Sequence, residues 1–179
     1  MEVMVMKRIL ILNGAARKKG ATAGLIKAFR EGAESGDNEV KELYLYDMNI
    51  NDCTGCLACD RRGITDEPNP CSQKDDDMVQ VYEEFRKADV IVFASPIYYW
   101  GITGKLKTTV DRLFAMIGAL GMDGYRRSSV LLCTASGYGY DLAGEWHQRF
   151  NRVTGWNILG NVFGADKTEE ARKLGASIK

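Results

Sequence analysis

Along the chain, apolar residues gather into five short runs, separated by stretches in which they recur every three or four positions. The runs are residues 7–13 (KRILILN), 39–46 (EVKELYLY), 89–95 (DVIVFAS), 128–135 (SSVLLCTA) and 156–164 (WNILGNVFG). Their length and their Ile, Val, Leu and Phe content predict β-strands, the last with the weakest pattern. Three are almost continuously apolar, as strands covered on both faces should be, whereas the second alternates and suits an edge.

The intervening stretches carry helical periods. Leu25, Phe29 and Ala33 share one face, and so do Met78, Val81, Phe85 and Ala88. Ile102, Leu106, Val110, Phe114 and Ile117 form a third face, and Trp146, Phe150 and Val153 a fourth. A last short helix from about Thr168 carries Ala171, Leu174 and Ile178. The second helix opens on Asp75, Asp76 and Asp77 and closes on Arg86 and Lys87, an order that suits the helix dipole. Those aspartates read as a cap in preference to a metal site. Residues 47–74 follow neither period and read as irregular.

The order is therefore βαβαβαβαβα. Such alternation predicts an α/β fold with a five-stranded parallel sheet, right-handed crossovers and helices on both faces. Every strand's carboxyl end then lies on the same edge, so the chemistry is expected in the loops there.

Composition narrows the function classes. A chain of 179 residues with 45% hydrophobic content suits one domain with a substantial core. Its 24 basic and 24 acidic residues cancel, so no overall field favours nucleic acid or a membrane surface, and any anion must be held locally. Lys7 and Arg8 interrupt the apolar start, which argues against a signal peptide or a transmembrane helix. Five unevenly spaced cysteines without such a signal suit a reducing cytoplasm, with thiols free, metal-bound or catalytic.

Three loops at the carboxyl edge hold the candidate chemistry. After strand 1 come residues 13–22 (NGAARKKGAT), with glycines, cations and a hydroxyl just ahead of a helix. Free N–H groups and the helix dipole would favour a phosphate there, although the same run also reads as an ordinary glycine-rich turn. It is not a Walker A loop: five residues separate Gly14 from Gly20 and no Lys follows Gly20. The dinucleotide pattern G-x-G-x-x-G is missing too, although Asp47 could imitate its ribose-binding acid. After strand 3 come Ser95, Pro96, Ile97, Tyr98, Tyr99, Trp100 and Gly101. Three consecutive aromatics in a loop cannot all face a core, so a planar partner or a subunit contact is expected. After strand 4, Ser136, Gly137 and Gly139 would let a ligand approach closely, with Tyr138 and Tyr140 available to edge a ring. In a sheet of order 2-1-3-4-5 these three loops are neighbours at the switch point.

The strand 1 loop resembles the G-S-x-R-x-x-G-N-T phosphate loop of the NADPH-dependent FMN reductase and multimeric flavodoxin family. Residues 94–101 (ASPIYYWG), with Gly104-Lys105-Leu106-Lys107 and Asp111-Arg112 behind them, are similar to that family's flavin loop. The resemblance spans nearly the whole chain in element order and implies a flavodoxin-like three-layer sandwich. It also implies that Ala15, Arg17, Gly20, Ala21 and Thr22 surround an FMN phosphate. Pro96, Ile97, Tyr98, Tyr99, Trp100 and Gly101 would then border the isoalloxazine, with Ser136, Gly137 and Tyr138 on its other side. Ala15 and Ala21 stand where the family often has Ser and Asn, so two side-chain hydrogen bonds are missing and Arg17 carries more of the charge pairing. The implied activity is NAD(P)H-linked electron transfer through FMN to a small-molecule acceptor, by a homodimer or homotetramer. A flavodoxin-type electron carrier without its own NAD(P)H activity is the alternative.

Cys53, Cys56 and Cys59 form C-x2-C-x2-C, and Cys71 follows after eleven residues. Four thiolates are the common set for a [4Fe-4S] cluster, and the stretch resembles the iron-sulfur flavoprotein branch of the fold. The long last spacing departs from that branch, so zinc, free thiols or redox-active thiols remain open. Cys133 reads as a buried apolar residue and His147 as a partly exposed surface residue with no role.

Overall fold

The computed structural model describes residues 6–62, 67–118 and 126–179. The first five residues and the middle of the gap between Cys59 and Cys71 lie outside them. All five expected strands form: β1 Arg8–Asn13, β2 Glu39–Tyr44, β3 Val90–Pro96, β4 Ser128–Thr134 and β5 Asn157–Phe163. They build one parallel sheet of order β2-β1-β3-β4-β5. The alternating second strand is an edge, as its pattern required.

The helices are α1 Ala21–Glu34, α2 Ala58–Arg62, α3 Met78–Lys87, α4 Gly104–Arg112, α5 Phe114–Ile117, α6 Tyr140–Thr154 and α7 Thr168–Ala176. Alternate residues of each central strand supply opposite faces. Leu10, Leu12, Ile91, Phe93, Leu131 and Cys133 pack under α3, α4 and α6, and Ile9, Ile11, Val90, Val92, Val130 and Leu132 under α1 and α7. Glycines let α1 and α7 approach backbone to backbone: a Cβ at Gly175 would lie 2.1 Å from the Phe29 carbonyl oxygen.

Several local expectations are corrected. Helix α4 begins only after Thr103, whose side-chain oxygen accepts from the Leu106 N–H, so Ile102 stays in the loop. The helix breaks at Leu113, and Phe114 starts a new turn that leaves it exposed. Val153 is exposed as well, because the buried stripe of α6 runs through Ala143, His147 and Asn151. Residues 47–74, read as irregular, contain the short helix α2.

The aspartate run does more than cap α3. Asp77 occupies the cap position without a side-chain bond to the helix, and its Oδ2 accepts instead from the Asn49 N–H at 2.7 Å. Asp76 accepts from the Met78 N–H and forms a fully buried ion pair with Arg112 at 2.6 Å. Burial alone would raise the Asp76 carboxyl's pKa, but the guanidinium and the N–H groups of Asn51 and Met78 hold it below the ordinary value. His147 is likewise buried, not surface-exposed. Its Nε2 lies 2.8 Å from Ser129 Oγ and its Nδ1 2.7 Å from Asn161 Oδ1, and Ser129 donates to Asn151. Burial pushes its pKa down to about 4.

Candidate flavin edge and the cysteine loop

Strands β1, β3 and β4 are adjacent and parallel, so the loops after them emerge side by side. Short buried bonds tie those loops together. Thr103 Oγ1 donates to the Gly14 carbonyl at 2.8 Å, joining the loop after β1 to the start of α4. The Ile97 N–H donates to the Thr134 carbonyl at 2.8 Å, and the hydroxyls of Thr22 and Thr134 lie 2.7 Å apart. Ser95 Oγ accepts from the Thr103 N–H at 2.9 Å. Each bond satisfies a polar group that burial would otherwise leave costly.

In the first loop, Ala16, Arg17, Lys18 and Lys19 are exposed. Gly20 occupies the cap position of α1 with no side-chain cap, and no acid stands in the first turn. The amino end of α1 therefore presents N–H groups and a positive dipole end beside Arg17 and Lys19, a setting suited to an anion. Lys18 is partly committed, since its ammonium pairs with Asp47, the residue read as a possible ribose acid. Two of the expected phosphate residues face inward. Ala15 is buried and its N–H donates to Asn13 Oδ1 at 2.9 Å, while Thr22 is buried with its hydroxyl on Thr134. Arg17, Gly20 and Ala21 keep accessible positions.

The second loop turns sharply. Tyr98 and Gly101 exchange backbone bonds of 2.9 and 3.2 Å, which places Tyr99 and Trp100 at the centre of a two-residue turn. Both have positive φ, 47° and 63°, in a turn that favours Asn and Gly. Such a conformation costs about 1 kcal/mol or more for each side-chain-bearing residue and is often found at functional sites. The turn pushes its rings outward: Tyr99 is 94% exposed, and Tyr98 and Trp100 about half. Trp100 leans on the third loop, where a Cβ at Gly139 would lie 3.0 Å from Trp100 Cδ1. Ser136, Gly137 and Tyr138 are exposed beside it, and no neighbour would meet a Cβ at Gly137 within 4 Å. Tyr140 turns inward instead, stacks on Phe163 and accepts the Ala135 N–H at 2.8 Å. An anion cradle, exposed aromatic rings and an open small-residue loop thus share one edge. That donor set fits a phosphorylated planar cofactor.

The cysteines do not converge in the same way. Cys53 and Cys56 are exposed, Cys59 is half-buried, and Cys71 is buried among core residues that include Tyr82. The Cys56 thiol lies 3.2 Å from Ser72 Oγ; that hydroxyl, followed by the Ala58 N–H, pulls its pKa down to about 7. Burial moves Cys59 the other way and pushes buried Cys133 up to about 12. Among the described residues, no three His, Cys, Asp or Glu side chains come close enough to hold a metal. In this arrangement the four thiols do not fit a cluster. The loop's stem is nevertheless firmly held by α4: Lys105 donates to the Met48 carbonyl, Thr108 to Asp52 and Arg112 to the Asn51 carbonyl, all at 2.8–2.9 Å. Sequence reading missed this role of α4, although the i, i+3, i+7 spacing of these residues places them along one side of the helix.

The chain is similar to an iron-sulfur flavoprotein of Archaeoglobus fulgidus, 26% identical over 97% of this chain and 79% of that one. It is also similar to one of Clostridioides difficile, 31% identical over 63% of this chain and 48% of the relative. Several of the curated relatives are about twice the length of the segment they share with this chain. Among solved structures, the NAD(P)H:quinone oxidoreductase from Methanothermobacter marburgensis superposes with a TM-score of 0.70 at 18% identity, covering 96% of both chains. An azoreductase from Bacillus anthracis superposes at 0.62 with 17% identity, covering 96% of this chain and 95% of the other. These structures establish the flavodoxin-like fold. The profile of the NADPH-dependent FMN reductases matches residues 7–170, so the chain belongs to that family.

Proposed function

We propose that this flavin-dependent oxidoreductase binds FMN across the three linked loops and takes electrons from NAD(P)H for a small acceptor such as a quinone or a flavin. The observation that supports this most is the knitting of the anion cradle at α1, the outward aromatic turn and the open Ser136–Gly137 loop into one edge. Bound FMN supplies the redox chemistry, and the protein positions it. Arg17 and the N–H groups at the amino end of α1 hold the phosphate. Tyr98, Tyr99 and Trp100 flank the ring system from one side and Ser136, Gly137 and Tyr138 from the other. Backbone N–H groups near Trp100 and Gly137 would be placed to stabilise negative charge on the ring, while the Gly101 N–H is already given to the Tyr98 carbonyl. Because the bound flavin would carry the redox chemistry, no side-chain acid or base is assigned a role at the edge. A cytoplasmic protein assembled as a homo-oligomer suits this chemistry.

Steady-state oxidation of NADPH and NADH by the purified holoprotein, with a quinone or free flavin as acceptor, tests the reading. Ping-pong kinetics are expected; a flavin-loaded protein that oxidises neither nucleotide is an electron carrier instead. The relatives' names favour a second reading, an iron-sulfur flavoprotein with a cluster on Cys53, Cys56, Cys59 and Cys71, for which the described residues show no ready-made metal-holding group. Iron analysis and an absorption spectrum of anaerobically purified protein decide between them. About four iron atoms per chain with broad cluster absorption support the cluster, whereas flavin bands without iron support the first reading.

A further inference from the structure

A second cleft opens beside the anion cradle, on the side of α1 that faces β2 and away from the aromatic turn. Its volume is about 610 Å³, in the range of small-molecule sites, and Lys18, Lys19 and Gly20 of the loop after β1 form its near end. Ile11 and Asn13 pair in register with Glu42 and Tyr44, so those two edge-strand side chains lie on the sheet face that carries α1. Both line the cleft. The α1 wall opposite them is low, made by Gly20, Ala23 and Gly24, and a Cβ at Gly24 would meet nothing nearer than Thr168 at 4.0 Å. A flat ligand can therefore lie close to the helix backbone.

The far wall offers a ring and an acceptor. The Tyr44 hydroxyl donates to the Ala16 carbonyl at 3.1 Å, which fixes the ring to the phosphate loop, and the Lys18 ammonium sits 4.9 Å from the ring centroid. Asp47 takes that ammonium on Oδ2 and leaves Oδ1 as an acceptor, with its side chain 61% exposed. The charges are not balanced inside the cleft, although the whole chain has none in excess: Lys18, Lys19, Lys27 and Arg30 face only Glu42 and Asp47. Arg30 is committed to Glu42 at 2.7 Å. Lys27 reaches Glu31 only at 3.9 Å, and Lys19 has no ion-pair partner among the described residues. Two cations are thus left for a ligand's phosphate, while the two carboxylates oppose a polyanion such as nucleic acid.

We propose that this cleft is a subsite for an adenosine phosphate. The adenine lies between the Tyr44 ring and the small-residue wall of α1, the ribose hydroxyls donate to Asp47, and Lys19 and Lys27 pair with the phosphate. The exposed Lys18 side chain swings off the ring to admit the base. Two molecules carry this group: NADPH in its adenosine half, and FAD, whose adenylate extends from a flavin phosphate held by Arg17 and α1. The subsite rests on the flavin reading only for which of the two brings the adenylate.

Isothermal titration calorimetry of the FMN-saturated protein tests this, with adenosine 2′,5′-bisphosphate, AMP and inorganic phosphate as probes. An adenylate should bind at one per chain, at least about tenfold more tightly than inorganic phosphate. Lys27→Glu and Tyr44→Leu should each weaken it by about tenfold or more, whereas Tyr44→Phe keeps the ring and the binding. Stronger binding of the bisphosphate assigns the subsite to NADPH, and equal or stronger binding of AMP assigns it to FAD. The proposal is overturned if neither adenylate binds, if inorganic phosphate binds as well as they do, or if Lys27→Glu and Tyr44→Leu bind like wild type. Far-UV circular dichroism checks folding; should Tyr44→Leu be unfolded, the surface change Lys27→Glu carries the test. A protein that takes up no FMN fails the flavin reading in its absorption spectrum, and the same titrations on the protein as purified still decide the subsite.

Discussion

Thr103 shows how much one side chain can organise: its hydroxyl caps α4, bonds the Gly14 carbonyl and sits fully buried between two functional loops. Arg17 is its opposite, an exposed cation whose value depends on a ligand. Arg17→Ala should weaken FMN binding by roughly tenfold to a hundredfold, the worth of a charge-assisted bond, while leaving the fold intact. Fluorescence titration of the apoprotein with FMN measures this, and unchanged affinity removes Arg17 from the site. His147 contributes through its neutral form. Its folded pKa of about 4 lies below the ordinary 6.5, so on acidification the unfolded chain takes up the proton first. The associated stability is complete above pH 6.5, declines as pH falls from there to about 4, and levels off below. Across that window the loss should approach about 3 kcal/mol. Urea unfolding of wild type and His147→Gln at several pH values reads it as a slope present in the first and reduced in the second.

At the scale of elements, the turn from Tyr98 to Gly101 and the loop carrying Gly139 work as a pair. Gly139 has φ of 101° and leaves room for Trp100 against its α-carbon. Gly139→Val should cost about 1–2 kcal/mol of stability by backbone strain and displace Trp100. The diagnostic readout is Trp100 fluorescence and the visible spectrum of the bound flavin, both expected to shift. Helix α4 has a second task, because Arg112 joins it to Asp76 ahead of α3 and to the stem of the cysteine loop. Removing one member of a fully buried pair strands the other, so Arg112→Leu should destabilise by about 3 kcal/mol or more. Hydrogen exchange should rise most at residues 48–53. Protection equal to wild type there would show that the ion pair does not hold the loop.

On the whole-molecule scale, the sheet is sandwiched between unlike layers. On one face α1 and α7 meet through Gly32 and Gly175, so closely that added side chains would strike backbone. Gly175→Val should therefore cost about 3 kcal/mol in urea unfolding, since the added side chain meets the backbone of α1 and not a flexible side chain. The other face is laid down by α3, α4 and α6 and carries an open groove. Among the described residues no helix is long and apolar enough to cross a membrane.

The five strands, their parallel order and the edge where ligands should sit were legible in the sequence, because strand runs and helical periods are local patterns that burial imposes directly. The exposure of the Arg17 loop and of the Tyr98–Trp100 turn was legible for a related reason: cations keep to solvent, and three consecutive aromatics in a loop cannot all face a core. Only the folded chain decided that Thr22 and Ala15 face inward, that Asp76 finds Arg112, that His147 is buried between Ser129 and Asn161, and that Cys71 is buried while Cys53 and Cys56 are exposed. Each of these depends on a partner many residues away or on which side of a helix meets the sheet. Periodicity shows that a residue recurs on a face, but the docking of one element on another determines what that face touches.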